Sequence, residues 1–153
     1  MNRQFRRCLS ELDPNLSRKV LCLATKHIPE NGWSSRSVEL ALEELELPFA
    51  IASDFENLKL SLIQAFNTES RNNLSEYAKT LNLNEMRVSE KIQILCQRRL
   101  YTLEPIIIYW QEAVKELTSP YNLVSGFSEL GKIADEIWHL AGDQSLDVRI
   151  LTY

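Results

Sequence analysis

Histidine, glycine and cysteine are scarce in this 153-residue chain, and each scarcity closes off a class of function. Two histidines and three cysteines leave little for a metal cage. The cysteines (Cys8, Cys22, Cys96) stand far apart, with no CxxC pair, so neither a zinc site nor a disulfide framework is indicated. Small buried or idle thiols in a reduced compartment are the plainer reading. With only four glycines there is little material for a phosphate-cradling loop, and GxGxxG, P-loop and GxSxG motifs do not occur. Long apolar runs are missing too. None exceeds the five residues of Ile106–Trp110, against about 20 needed to span a bilayer. The start, MNRQFRRCLSELDP, places three arginines before its first acid, a faint likeness to an organelle-targeting segment, and contains no secretory signal. A basic excess is absent: 17 Lys and Arg face 21 Asp and Glu, a net charge of −4, which argues against a general nucleic-acid binder.

What is present is helical periodicity. At 44% hydrophobic and 25% charged the chain is globular in composition, and its length suits one domain with one core. Asp13-Pro14 predicts an N-cap and first helical position, followed by Leu16, Val20, Leu23 and Ala24 on one face to about Pro29. Ser34 or Ser35 caps a second helix to about Glu46, with Val38, Ala41, Leu42 and Leu45 inward. A short third piece, Phe49 to Phe55, leads into a helix with Leu58, Leu62, Ala65 and Phe66. The polar run Asn67 to Asn73 predicts a frayed or kinked region. Further helices follow over about Asn84–Leu103, from Pro105 and from Pro120. The last has Leu123, Phe127, Leu130, Ala134, Ile137, Trp138 and Ala141 at steps of three and four, a strong amphipathic stripe closed by Gly142 at a left-handed C-cap position. No strand alternation or repeat is found, so the fold class is all-α.

Three constellations bear on chemistry. Glu136-Ile-Trp-His139 is an E-x-x-H, which sets a carboxylate and an imidazole one turn apart as di-iron bundles require, and Asp135, His139 and Asp143 share a stripe. A di-iron site needs a second such motif and more glutamates; His27 is the only other histidine, so a solvated polar face is the simpler reading and no metal is assigned. The first three helices resemble the helix-turn-helix head of TetR-type repressors, about residues 14–55. From Ser34 to Leu60, however, two bases (Arg36, Lys59) face six acids (Glu39, Glu43, Glu44, Glu46, Asp54, Glu56), and that surface repels phosphate. The aromatic and aliphatic residues of the later helices fit an ordinary core or a pocket for a long apolar ligand.

Three stretches together identify a family. IPENGWSSRSVELALEELELP, LYTLEPIIIYWQEAVKEL with SPYN, and above all IADEIWHLAGDQSLD resemble the lipid-binding accessory proteins of ubiquinone (coenzyme Q) biosynthesis, the Coq nine family, over residues 15 to 147. The resemblance implies a single TetR-like helical domain that has lost regulatory DNA binding. Residues 14–55 would be the head and 56–142 the lipid-binding part. It implies a non-catalytic protein without a cofactor that binds an isoprenoid quinone or phospholipid. It would present quinone precursors to the di-iron demethoxyubiquinone hydroxylase. The setting would be the matrix face of the mitochondrial inner membrane, or the cytoplasmic side of the inner membrane in a bacterium. Ile106, Trp110, Phe127 and Trp138 are the expected lipid-lining residues. Asp135, Ile137 and Asp147 match the patch that meets the hydroxylase. Set against the family pattern, the C-terminal helices are missing: an aromatic pair, a basic stretch and two further helices would follow, where this sequence reads DVRILTY. Those helices complete the dimer interface and pocket and touch the membrane, so the resemblance leaves a homodimer open and removes the element for peripheral membrane contact. A non-functional truncated family member and a TetR-type regulator are the alternative readings.

Overall fold

A computed structural model of the chain describes residues 14–142. Among the described residues every regular element is helical: α1 (Pro14–Ala24), the single turn α2 (Ile28–Asn31), α3 (Ser35–Glu44), α4 (Leu58–Lys79), α5 (Val88–Tyr101), α6 (Ile107–Leu117) and α7 (Leu123–Ala141), joined by short 3₁₀ turns. The all-α expectation holds. The Asp13 cap and the segment from Asp143, with Ser145 and Asp147, lie outside the described residues.

The path is packed as two compact units. The first comprises residues up to Phe66 together with Ile106–Glu116, and the second Asn67–Pro105 with Leu117 onward. Helix α4 contributes to both.

In the first unit α1, α2 and α3 bury Val20, Ala24, Ile28, Val38, Ala41 and Leu42 completely. Ser34 stands at the N-cap of α3 with extended backbone, but its hydroxyl donates back to the Asn31 carbonyl (2.8 Å) instead of capping the helix. The helix ends at Leu45, where Glu46 takes a left-handed φ of 54°. The expected short third piece is present as a 3₁₀ helix, Phe49–Asp54. The IPENGW segment is fastened to α6 at three points. The Trp33 indole donates to the Tyr109 carbonyl (2.8 Å). The Tyr109 hydroxyl donates to the Glu30 carbonyl (3.4 Å). The Tyr109 ring lies against Gly32, where a Cβ would come within 2.9 Å. That glycine also has φ +66°, so two independent constraints select it. Phe66 continues the contact, edge-on to Trp33 (5.8 Å) and tilted against Trp110 (6.4 Å).

The second unit has an apolar cluster of Leu74, Ala78, Leu95, Ile137 and Ala141, with Ile92 and Ile133 packed against it. Beside it lies a polar layer. The polar run Asn67–Asn73 stays helical inside α4. Asn67 is 1% and Ser70 3% exposed. The Asn67 amide oxygen accepts from the buried Arg99 guanidinium (2.8 Å), and Arg99 also donates to the Thr102 hydroxyl (2.8 Å). A polar run breaks a helix when water competes for its backbone; here a neighbouring cation supplies the partner.

Candidate functional site: the three faces of helix α7

Helix α7 carries most of the residues singled out from sequence. At 100° per residue its side chains divide into three faces. The inward face holds Gly126, Glu129, Ile133, Ile137 and Leu140; an apolar face holds Leu123, Phe127, Leu130, Ala134 and Trp138; a charged face holds Lys132, Asp135, Glu136 and His139.

Gly126 fixes which face turns inward. A Cβ there would lie 2.4 Å from the Leu117 carbonyl oxygen, so only glycine lets α7 approach the end of the preceding helix this closely. With Gly126 inward, Glu129 follows one turn on and is 3% exposed. The most apolar stripe then points outward: Leu123 is 42%, Val124 85%, Phe127 66% and Leu130 62% exposed. By periodicity Leu123, Phe127, Leu130 and Ala134 form one face with Ile137, Trp138 and Ala141. The helix buries its second half along that direction and leaves the first half in solvent.

Burial of Glu129 needs cations, and they are present. Its Oε1 is 2.7 Å from the Lys132 ammonium, and its Oε2 is 3.9 Å from Arg71 Nη1. Both Glu129 Oε2 and Arg71 Nη1 are buried without a hydrogen bond. Burial, and secondarily the like charge of Arg71, lowers the pKa of Arg99. Arg71, Lys132, Asp135, Glu136 and His139 line an open cleft of about 460 Å³. Gly142 closes α7 in the left-handed conformation (φ 75°, ψ 17°), its N–H bonded to the His139 carbonyl (3.1 Å), as the WHLAG spacing predicts.

The expected lipid-lining residues fall in different places. Ile106 (2% exposed) and the half-buried Trp110 belong to the first unit. Phe127 and the half-buried Trp138 share the apolar face of α7 in the second. Of the expected docking residues, Asp135 is exposed on the charged face, whereas Ile137 is 9% exposed and packs in the core cluster. The Glu136–His139 pair faces the cleft, and among the described residues no group of three or more His, Cys, Asp or Glu is placed to hold a metal. No described helix is long and apolar enough to cross a membrane. Arg71, Arg99 and Glu129 escaped the sequence reading. The available signal was a glutamate at the centre of the Gly126–Ile133–Ile137 stripe.

These features define an all-α protein that presents an apolar stripe on one helix and a charged cleft that this helix lines together with Arg71 of α4. The COQ9 family model matches residues 123–152, the segment that begins with α7. Over 144 residues the chain is 31% identical to the human "Ubiquinone biosynthesis protein COQ9, mitochondrial", covering 90% of this chain and 45% of that protein. It is 32% identical over 145 residues to COQ9-A of Xenopus laevis (90% and 46% covered). It is 30% identical over 140 residues to the probable coq9 protein of Dictyostelium discoideum (86% and 45% covered). The resemblance read from the motifs is borne out across 90% of the chain, which spans about half the length of these curated relatives.

Proposed function

We propose that this chain is a non-catalytic lipid-binding accessory protein of ubiquinone biosynthesis, acting in the mitochondrion and presenting isoprenoid quinone precursors to the pathway's di-iron hydroxylase. The observation that supports it most directly is the exposed apolar stripe of α7 inside the family-matched segment. Soluble proteins seldom leave a continuous apolar stripe open without a use for it. Each such side chain gains roughly 1.5–3 kcal/mol on full burial, so a polyisoprenoid tail laid along Leu123, Phe127 and Leu130 recovers that free energy. The aromatic edge of Trp138 extends the same face. Ile106 and Trp110 form a second apolar locus in the first unit. The charged face supplies Asp135 as a docking group for the hydroxylase, and Ile137 holds the helix that presents it.

The names of the relatives support the pathway and the mitochondrial setting. The acidic head supports a protein that does not read DNA: phosphate attraction is independent of sequence and needs a cationic surface, whereas Ser34–Leu60 sets two bases against six acids. The test is native mass spectrometry after gentle purification. Co-purified isoprenoid or phospholipid is the expected result, diminished in Leu130→Glu. A lipid-free protein with no affinity for the hydroxylase overturns the reading.

A further inference from the structure

The charged face of α7 lies on a different side of the helix from the apolar stripe and has a charge distribution of its own. Lys132 stands three and four residues before Asp135 and Glu136, a spacing at which helix ion pairs form. Its ammonium turns instead to the buried Glu129, at 2.7 Å. Asp135 and Glu136 have no ion pair among the described residues. Next to them one buried carboxylate, Glu129, serves two cations, Lys132 and Arg71, and Arg71 Nη2 also donates to the Thr68 hydroxyl (3.2 Å), while Arg99 lies close enough to bear on Arg71 electrostatically. Arg71 lines the cleft with Nη1 buried and without a hydrogen bond. Among the described residues the cleft thus brings two cations that share one carboxylate beside two carboxylates that have no cation.

We propose that the cleft lined by Arg71, Lys132, Asp135, Glu136 and His139 binds a small zwitterion, an anionic group joined by a short linker to an ammonium. The anionic group accepts hydrogen bonds from Arg71 and Lys132, and the ammonium donates to Asp135 and Glu136. A simple anion suits the site poorly, because the two carboxylates repel it; a simple cation meets the opposite obstacle. Phosphoethanolamine has both groups at short separation, whether free or as a lipid headgroup. The proposal goes beyond the lipid-tail reading and does not depend on the apolar stripe or the hydroxylase.

The experiment is an amide NMR titration of the whole chain with O-phosphoethanolamine, with inorganic phosphate and ethanolamine as the separate halves. Saturable shifts over 132–139 are expected, with each half binding about tenfold more weakly or worse. Arg71→Gln and Lys132→Ala both disturb the neighbourhood of buried Glu129, so Asp135→Asn and Glu136→Gln carry the test; each is expected to weaken binding about tenfold. Vesicles with phosphoethanolamine headgroups, compared with phosphocholine vesicles, separate the sources. Variant-sensitive capture by the former assigns a lipid headgroup, and binding of the free compound alone assigns a soluble ligand. Absence of saturable shifts, shifts unchanged in both variants, or phosphate binding as tightly as the zwitterion would each overturn the proposal.

Discussion

The two units differ in what they bury beside an apolar core. The first fills its interior with Val20, Ile28, Val38, Leu42 and Leu62, and ties the short turn between α2 and α3 to α6 with a buried tryptophan. The second encloses Asn67, Ser70, Arg99 and Glu129, while Leu100, Tyr101, Phe127 and Leu130 each remain more than 60% exposed. Apolar burial asks only for volume and shape. A buried ion cluster asks for the right partners in the right places, and its loss is correspondingly severe. Beside its apolar cluster of Leu74, Ala78, Leu95, Ile137 and Ala141, the second unit gives inward positions to polar and charged groups while the apolar stripe at the start of α7 stays exposed, an arrangement suited to binding more than to stability.

The largest effect should come from removing the central carboxylate of that unit. Glu129→Ala leaves the buried Arg71 and its neighbour Lys132 without it, and breaking a buried pair in this way costs about 3–5 kcal/mol. The lowered pKa of Arg99 has the sign of an unfavourably buried cation. Because arginine stays protonated far above neutrality, this cost holds through the physiological range, and the folded state gains from deprotonation only at strongly alkaline pH. Urea unfolding measures the loss, and a wild-type denaturant slope shows that stability alone has changed.

Leu42→Ala is the matching change in the first unit. Leu42 is completely buried, and its truncation should cost about 2–5 kcal/mol through lost transfer and a residual cavity. If Leu42→Ala and Glu129→Ala abolish the same single transition, the two units fold as one cooperative entity; two separated transitions identify each unit by its own variant.

Gly126→Ala tests what orients α7. The added Cβ meets a backbone oxygen at 2.4 Å, and a backbone atom cannot swing aside as a side chain does. A loss of about 1–3 kcal/mol by thermal unfolding is expected, although alanine is the better helix former. An unchanged or raised melting temperature would refute the account of the rotated stripe.

Much of the fold is legible in the sequence, and the exceptions share a cause. Proline and glycine punctuation located the helices, and the Gly142 stop followed from WHLAG. Periodicity failed where a partner distant in sequence decided the outcome. Asn67–Asn73 looked like a break because asparagine favours turns, yet Arg99, 32 residues away, satisfies Asn67 inside a continuous helix. Phe127 and Leu130 looked like core because a hydrophobic stripe points inward when nothing else intervenes. Steric contact at Gly126 intervenes here, and no property of Leu123–Ala141 taken alone reveals it. The charged cleft was half visible: Asp135, Glu136 and His139 drew notice as a broken metal motif, while Arg71 lies on another helix.

The smallest effect on stability should accompany the clearest effect on binding. Phe127→Ser removes a side chain that is 66% exposed, so unfolding free energy should stay within about 0.5 kcal/mol of the parent. Co-purified lipid should nonetheless fall, because the ring contributes apolar contact to a tail and a hydroxymethyl group does not. The contrast with Trp33→Phe is instructive. That variant keeps an aromatic ring but loses the donor to the Tyr109 carbonyl, and should lower stability by about 1 kcal/mol without altering bound lipid. Lipid content by mass spectrometry and stability by urea titration, measured on both proteins, separate the closed unit from the open one. If Phe127→Ser instead destabilises the chain by several kcal/mol and leaves lipid unchanged, the stripe is covered protein surface and the assignment of the two units is reversed.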